Sequence, residues 1–282
     1  MRFARIGDPG QERPALVVGE QVHDLRSVTH DIDGAFLEAD GFARAAAALD
    51  AGELPIIGAA GDERWGCPIA RPHAVFCIGL NYAAHAAESG AAAPTEPVVF
   101  LKTPNSIGAP DDDVVLPDGS VKSDWEVEVG VVIGRAAHRI ASPDDAHRHI
   151  AGYVLADDIS EREFQLERPG GQWTKGKIFP GFTPVGPWLV TPDELDASAL
   201  GLRSRVNGEE RQNSSTADLI FSVPEIIHHL SQYARLEAGD LVLTGTPEGV
   251  ALSGRFSYLV AGDQVVMEAD GLGQQRHRIV AP

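Results

Sequence analysis

Cysteine, basic side chains and long apolar runs are all scarce in this sequence. Cys67 and Cys77 are the only cysteines, too few for a disulfide framework, and their spacing matches no zinc-binding pattern. No run approaches the roughly 20 apolar residues of a membrane span. Residues 1–5 do not lead into the continuous apolar segment of a signal peptide. We therefore expect a soluble protein in the reducing cytoplasm.

Acidic side chains outnumber basic ones by 41 to 23, which gives a formal net charge of −18 near neutral pH. Such a charge repels polyphosphates and anionic lipid surfaces over a long range. We therefore expect neither a nucleic acid nor a membrane as partner. With 43% hydrophobic and 23% charged residues, the composition is that of a globular protein that can form a sizeable core.

The 30 glycines and 19 prolines predict many turns and short elements, which favours an α+β, β-rich fold. Residues 1–26 are typical of a small β-meander, and residues 34–50 of a helix. A stretch rich in glycine and proline follows. We predict a small N-terminal β-rich domain over residues 1–68 and a second domain over residues 72–282.

Apolar, β-branched runs in the second region predict strands. They cover residues 75–78, 98–102, 125–133, 152–158, 187–190 and 241–244. A Gly-x-Asn segment joins the first of these strands to a short predicted helix over residues 82–89. A longer amphipathic helix is predicted over residues 223–236, with Pro224 in its first turn.

Two glutamates alternate with apolar residues in the predicted strand of residues 125–133. Glu126 and Glu128 therefore point to one face of that strand. Two like charges this close repel each other unless a cation neutralises them. A solvated strand face is the simpler explanation for a Glu-x-Glu pair by itself.

A second apolar strand ends in two aspartates, Asp157 and Asp158, which point to opposite faces. Only one of them can share an ion with the two glutamates. Oxygen ligands without histidine or cysteine suit Mg²⁺ or Mn²⁺ better than zinc. A turn or a helix cap is the alternative interpretation of this pair.

His85 and Glu88 are three residues apart in the short predicted helix, hence on one face and within hydrogen-bonding reach. A glutamate that orients an imidazole is the usual arrangement for a general base. A surface pair is the alternative. The other histidines are interpreted as surface residues.

The segment 171–177 matches the spacing of a phosphate-binding loop, but Ile178 stands where a Ser or Thr must bind magnesium. No buried strand precedes the segment either, so nucleotide binding is rejected. Lys177 is kept as a candidate cation inside an acidic site. A solvated loop lysine is the alternative.

Six segments of the chain, in matching order over about residues 72–280, resemble the motifs of the fumarylacetoacetate hydrolase family. They are residues 79–88 (GLNYAAHAAE), 100–102 (FLK), 124–128 (DWEVE), 157–162 (DDISER), 207–218 and 239–247 (GDLVLTGTP). Residues 160–168 and 171–173 look most like the members that cleave diketo deoxy sugar acids.

The resemblance implies a mixed β-roll catalytic domain, a small N-terminal domain, a homodimer and Mg²⁺ or Mn²⁺ as cofactor. It implies that Glu126, Glu128 and Asp158 hold the ion. It assigns His85 and Glu88 to water activation.

The remaining site residues that the resemblance suggests would contact the substrate. Lys177 is assigned to substrate polarisation, and Arg162 and Gln165 are candidate substrate-binding residues. The Gly245 backbone and the Thr246 hydroxyl are candidate donors to the substrate, with a plain turn as the alternative.

Two positions depart from the family's pattern. Asp157 replaces a usual Asn, and Lys-Ile-Phe-Pro at residues 177–180 replaces a usual Lys-Ser-Phe-Asp. Pro180 supplies no carboxylate, so the hydrogen bonds around the site must differ there.

These assignments imply a metal-dependent hydrolase that cleaves the C–C bond of a 2,4-dioxo acid and releases pyruvate. The substrate would be an acylpyruvate or a diketo deoxy sugar acid, and His85 would deprotonate the attacking water. Two alternatives stay open. One is a lyase or decarboxylase acting on oxaloacetate or ureidoglycolate, which needs the ion but not the His85 base. The other is a non-catalytic metal-binding protein, which would leave every 2-oxo acid unchanged.

Overall fold

The computed structural model describes residues 1–88, 90, 92–168 and 170–282. The strands are β1 (Arg2–Ile6), β2 (Arg13–Val18), β3 (Gln21–Asp24), β4 (Ile56–Ala59), β5 (Val75–Gly79), β6 (Val98–Lys102), β7 (Ile107–Gly108), β8 (Val114–Val115), β9 (Ser123–Asp124), β10 (Val127–Ile133), β11 (Ile150–Asp157), β12 (Ser160–Glu161), β13 (Thr183–Pro184), β14 (Leu189–Val190), β15 (Gly201–Val206), β16 (Glu209–Ser215), β17 (Leu241–Leu243), β18 (Gln264–Ala269) and β19 (Gly273–Val280). The α-helices are α1 (Gly34–Glu38), α2 (Gly41–Asp50), α3 (Ala83–Glu88) and α4 (Val223–Tyr233). A π-helical turn spans Glu163–Glu167, and 3₁₀ turns span Pro104–Ser106, Pro143–His149, Trp173–Gly176, Pro192–Glu194, Thr216–Asp218 and Ala251–Ser253.

A ten-stranded sheet runs through the described residues in the order β4-β3-β2-β1-β14-β11-β10-β17-β5-β6. Neighbouring strands are antiparallel except β17 and β5, which are parallel. Every residue of β10 is buried, because both faces of the sheet are covered there. The β-branched run of this strand is therefore the signature of a central strand, and the predicted β-rich α+β fold is confirmed.

A five-stranded sheet, β16-β15-β18-β19-β8, lies against the first one. Val129 and Val131 of the large sheet share an apolar core with Leu202, Val265 and Met267 of the smaller sheet. This sheet-on-sheet packing gives the two sheets one shared apolar core.

The N-terminal meander continues the large sheet instead of forming a sheet of its own. β1 pairs with β2 on one side and with β14 on the other, where Arg2 lies opposite Val190. Phe3 and Leu16 share a core with Leu189 and Leu241 of the second region. The domain boundary between residues 68 and 72 stays a prediction.

The helix predicted over residues 34–50 is broken into α1 and α2. Asp40 takes the left-handed backbone conformation, with φ of 50°. A Cβ on Gly41 would lie 2.4 Å from the Phe36 ring, so only glycine lets the second helix turn so closely over the first. The break comes from packing that the residue pattern does not reveal.

Two further predicted elements are shorter than expected. α4 ends at Tyr233, three residues before the predicted end, because Ala234 is extended and Leu236 forms a β-bridge with Ala137. The strand predicted over residues 187–190 is confined to β14. The end of the short helix predicted at Ser89 lies outside the described residues.

Both cysteines are buried, and neither forms a disulfide, in agreement with the sequence analysis. Among the described helices, none has the length and apolar character needed to cross a bilayer.

Candidate active site

Three carboxylates converge at one edge of the paired strands β10 and β11. One oxygen from each of Glu126, Glu128 and Asp158 lies within 4.8 Å of the others. Pairing of Val127 with Asp157 sets this register, and all three side chains are buried. The structure thus brings together the predicted ligands, and an all-oxygen donor set of this kind fits Mg²⁺ or Mn²⁺. Ligation itself stays a prediction.

Two buried lysines hold this cluster from one side. The Lys177 Nζ lies 2.8 Å from the Glu126 Oε2 and 2.6 Å from the Asp158 Oδ2. The Lys102 Nζ donates to the Asp158 Oδ1 at 2.5 Å and to the Phe182 carbonyl at 2.8 Å. Lys177 is therefore a fixed cation inside an acidic site. The role of Lys102, the inward-facing last residue of β6, was missed in the sequence.

Arg162 bridges two carboxylates at the other side of the cluster. Its guanidinium lies 2.8 Å from the Asp124 Oδ2 and 2.7 Å from the Glu126 Oε1. A third bond joins its Nη1 to the Gln165 Oε1 at 2.9 Å. Arg162 thereby fixes the orientation of Glu126, and its contact with a substrate stays a prediction.

Asp124, fully buried on β9, holds more than Arg162. Its carboxylate also accepts the backbone N–H groups of Ala251 at 2.8 Å and Leu252 at 3.0 Å. The loop that carries these two residues forms one wall of the site. The sequence showed Asp124 only as the first letter of a motif.

Glu126 and Glu128 have opposite electrostatic environments. Burial alone would raise the pKa of Glu126, but the charges of Lys177 and Arg162 outweigh it, so the pKa is lowered. Burial, together with the charges of Asp158 and Glu126, raises the pKa of Glu128 well above its usual range. Of these two glutamates, Glu128 is therefore the one that needs an added cation to ionise.

We expect divalent-ion binding to strengthen as the pH rises. In the folded protein the pKa of Glu128 is raised, so its contribution to the free energy of unfolding is present at low pH and is lost as the pH rises through the folded value. An ion bound to the ionised group reverses that loss. The rise in melting temperature on adding Mn²⁺ should increase as the pH rises above about 4.5, the ordinary pKa of a glutamate.

Thermal unfolding in chelator and in Mn²⁺ measures this effect. Glu128→Gln is the matched control and should remove the pH dependence, because the group can no longer ionise. An equal Mn²⁺ effect at every pH would contradict the prediction.

His85 lies on α3 and faces the same cavity as the carboxylates. Burial lowers its pKa, and the charge of Glu126 offsets this only in part, so the imidazole is neutral near neutral pH. Its Nδ1 is 3.7 Å from the Glu88 Oε2 and has no hydrogen-bond partner among the described residues. The two side chains share a helix face as predicted, but the expected hydrogen bond is not formed.

Glu88 is instead bound to the opposite wall. It accepts the Gly249 N–H at 3.0 Å and forms an ion pair with Arg255. Glu88 thus ties α3 to the loop that Asp124 also holds.

Asp157 turns away from the cluster, as its position opposite to Asp158 predicts. Its Oδ1 accepts the Glu126 N–H at 2.9 Å, and its Oδ2 lies 2.9 Å from the His277 Nε2. His277 is fully buried, and His23 is only 8% exposed, so the interpretation of these two histidines as surface residues is wrong. The alternation of buried and exposed residues along β19, with Gln275 and Ile279 on the same face, is the signal that locates His277.

Asp157→Asn is expected to be mild. An asparagine keeps the acceptor for the Glu126 N–H, and its amide can donate to the His277 Nε2, so the loss in the free energy of unfolding should be about 1 kcal/mol. Calorimetric titration with Mn²⁺ should show little change in affinity. The matched variant Asp158→Asn should lose most of the Mn²⁺ affinity, and the reverse order would show that the wrong aspartate was chosen.

The turn after β17 donates a hydrogen bond to the carboxylate cluster. The Gly245 N–H donates to the Glu128 Oε2 at 2.8 Å. The sequence offered this N–H as a donor to the substrate, whereas in the structure it donates to a candidate metal ligand. A Cβ on Gly245, at φ of 103°, would lie 2.9 Å from the Asn81 side chain. The Thr246 hydroxyl donates to the Val127 carbonyl at 2.9 Å and accepts from the Gln212 Nε2 at 2.8 Å. Gln212 was missed in the sequence.

A cavity of about 530 Å³ opens over these groups. All predicted site residues except Asp158 and Gly245 line it. This volume lies within the usual range for small-molecule sites. The cavity therefore brings an imidazole, a carboxylate cluster and paired cations together in one space.

Residues 74–280 match the family described as fumarylacetoacetate (FAA) hydrolase C-terminal. A 2,4-didehydro-3-deoxy-L-rhamnonate hydrolase from Sphingomonas sp. (strain SKA58) is 42% identical over 99% of this chain and 96% of its own. The fumarylacetoacetate hydrolase of Exiguobacterium antarcticum is 30% identical, with a TM-score of 0.87 over 100% of both chains. Maleylpyruvate hydrolase from Sphingobium sp. SYK-6, solved with manganese(II) and pyruvate, is 26% identical, with a TM-score of 0.83 over 100% of this chain and 99% of that one. The chain therefore belongs to the fumarylacetoacetate hydrolase family.

Proposed function

We propose that this protein is a Mg²⁺- or Mn²⁺-dependent hydrolase that cleaves the C–C bond of a 2,4-dioxo acid and releases pyruvate. The substrate is an acylpyruvate or a diketo deoxy sugar acid. The observation that carries the proposal is a buried His85 that faces the same cavity as the cluster of Glu126, Glu128 and Asp158. Burial lowers the pKa of this histidine, which favours its neutral form. The rhamnonate hydrolase from Sphingomonas and the manganese- and pyruvate-bound hydrolase from Sphingobium support the substrate class and the ion.

His85 acts as the general base in this proposal. Its neutral imidazole accepts a proton from water, and the hydroxyl adds to the 4-carbonyl carbon. The bond between the third and fourth carbons then breaks, its electron pair stays on the third carbon, and His85 returns the proton there. The products are a carboxylic acid and pyruvate.

The acidic and basic groups around His85 have separate tasks. A divalent ion on Glu126, Glu128 and Asp158 would polarise the 2-oxo carbonyl and stabilise the leaving enolate. Lys177 stays charged, since the charges of Asp158 and Glu126 outweigh the effect of burial and raise its pKa. It thus offers a permanent positive charge to an anionic substrate.

The test is a screen of acylpyruvates, diketo deoxy sugar acids and oxaloacetate, each with Mg²⁺ or Mn²⁺, that follows pyruvate release. Ion-dependent cleavage of a 2,4-dioxo acid is the expected result. Turnover of oxaloacetate alone would favour a decarboxylase, and binding of the ion without turnover would favour a non-catalytic protein.

We also propose that the protein forms a homodimer, as the family resemblance implies. Light scattering coupled to size-exclusion chromatography measures the mass directly. A mass equal to one chain at micromolar concentration would contradict this.

A further inference from the structure

One wall of the cavity is apolar from the cluster outwards. The Lys177 Nζ lies 4.9 Å from the centroid of the Phe100 ring, and Phe100 packs edge-on against Trp173, with ring centroids 5.4 Å apart. The Trp173 ring covers Gly79 so closely that a Cβ there would lie 2.3 Å from it. Two aromatic rings therefore extend from the reactive end of the cavity to its outer part.

Other parts of the cavity wall carry apolar side chains as well. Val250 and Leu252 contribute side chains from the loop held by Asp124, and Leu166 contributes one from the π-helical turn. The nearby Ser253 hydroxyl donates to the Val250 carbonyl at 2.7 Å. These apolar side chains offer little to the hydroxyl groups of a long polyol tail.

The cations that line the described part of the cavity are both committed to carboxylates. Lys177 is paired with Glu126 and Asp158, and Arg162 with Asp124 and Glu126. A second carboxylate at the far end of a substrate would meet no unpaired cation among these lining residues. Burying such a charge without a partner is strongly unfavourable.

We infer that the cavity selects 2,4-dioxo acids whose acyl tail is neutral and apolar, and that Trp173 is a residue that determines this specificity. The inference rests on the proposed function and narrows its substrate class. It sets this protein apart from a hydrolase of maleylpyruvate, whose acyl tail ends in a carboxylate.

Three acylpyruvates test the inference: acetylpyruvate, hexanoylpyruvate and succinylpyruvate. They share the reacting dioxo acid and differ in tail length and tail charge. For the unmodified protein we expect kcat/KM for the hexanoyl compound to exceed that for the succinyl compound by at least about 100-fold. A preference for the succinyl compound would overturn the inference.

Trp173→Ala is expected to lower kcat/KM for hexanoylpyruvate by about 10-fold or more, and that for acetylpyruvate by less than about threefold. Trp173→Phe keeps an aromatic ring, so its kcat/KM for hexanoylpyruvate should lie between those of the unmodified protein and Trp173→Ala. This second variant guards against a folding defect in the alanine variant. Trp188→Phe is the matched control, since Trp188 packs against Trp65 outside the cavity. An equal loss for both substrates in the folded Trp173 variants would overturn the role of Trp173.

A gain of function tests the charge argument separately. Leu166, 43% exposed at the cavity, can be replaced by lysine, and Leu166→Lys should raise kcat/KM for succinylpyruvate by about 10-fold. The control Val260→Lys adds the same charge at a position 61% exposed that does not line the cavity, and it should change nothing. An equal gain in both variants would show an effect of overall charge and would overturn the argument.

Failure of the proposed function gives a different result. If the unmodified protein cleaves none of the three compounds with Mg²⁺ or Mn²⁺, the hydrolase proposal falls and the inference falls with it. If all three are cleaved at similar kcat/KM, the hydrolase proposal stands and the inference alone is wrong.

Discussion

Replacing His85 with alanine is expected to lower the hydrolysis of a 2,4-dioxo acid by about 10²- to 10⁴-fold, the usual contribution of a general base. The imidazole is buried in the cavity and kept neutral, and the variant loses the group that accepts the water proton. Ion affinity should be nearly intact, because His85 is not in the carboxylate cluster. Rates of pyruvate release and calorimetric titration with Mn²⁺ measure the two effects.

Three comparisons make this result specific. Glu88→Gln should cause a smaller loss, because it weakens the electrostatic support of the imidazole without deleting it. The exposed His147 is the matched control, and His147→Ala should be silent. Any decarboxylation of oxaloacetate should survive in His85→Ala, since that step needs no water activation. Full hydrolysis in His85→Ala would exclude this residue as the base.

The pH dependence of kcat/KM in the unmodified protein tests the same role of His85. Burial lowers the pKa of His85 below its ordinary value, so the active, neutral form is present above that lowered value and is lost as the pH falls through it. The acid limb of kcat/KM should therefore lie below about pH 6.5, the unperturbed value.

Removing the Glu128 carboxylate is expected to abolish stabilisation by divalent ions. At an ion concentration of about 100 times Kd, a bound ion adds about 2.7 kcal/mol to the free energy of unfolding, and Glu128→Ala should lose this gain. Among the three carboxylates, Glu128 is the best one to replace, because the hydrogen bond that the structure describes for it comes from the backbone N–H of Gly245. Removing Glu126 would instead leave the buried charges of Lys177 and Arg162 without a partner.

Thermal unfolding with and without Mn²⁺ measures the loss. In chelator, Glu128→Ala should melt close to the unmodified protein, which separates ion binding from folding. Glu209→Ala, at an exposed carboxylate, is the control and should keep the full Mn²⁺ effect. Unchanged Mn²⁺ affinity in Glu128→Ala would remove the cluster from the argument.

The central strands could be predicted from the sequence because their apolar composition indicates that they are buried in the middle of a sheet. The β-branched run of β10 is compatible with burial on both faces, and β11 and β17 share this property. The break between α1 and α2 could not be predicted in the same way. It depends on the contact of Gly41 with Phe36, and such a contact leaves no periodic trace in the sequence.

The carboxylate cluster was accessible for a similar reason, since strand alternation places Glu126 and Glu128 on one face and a strand end places Asp157 and Asp158 beside them. The family resemblance then selected Asp158. The partners that fix these groups were not. Lys102 is 56 residues from Asp158, and His277 is 120 residues from Asp157, so neither pair has a local signal. Lys102 stood in the sequence only as the last residue of a family motif without a role, and the role of His277 required the fold.

Asp124 has a consequence for the entropy of substrate binding. Its carboxylate holds the Arg162 guanidinium and, through two backbone N–H groups, the loop that carries Ala251 and Leu252. Those groups are already ordered, so a substrate that enters between them does not have to restrict their freedom. One buried carboxylate orders both the guanidinium and the loop when the chain folds, so the loss of their conformational entropy is part of the free energy of folding. The free energy of their contacts with a substrate is then available for binding.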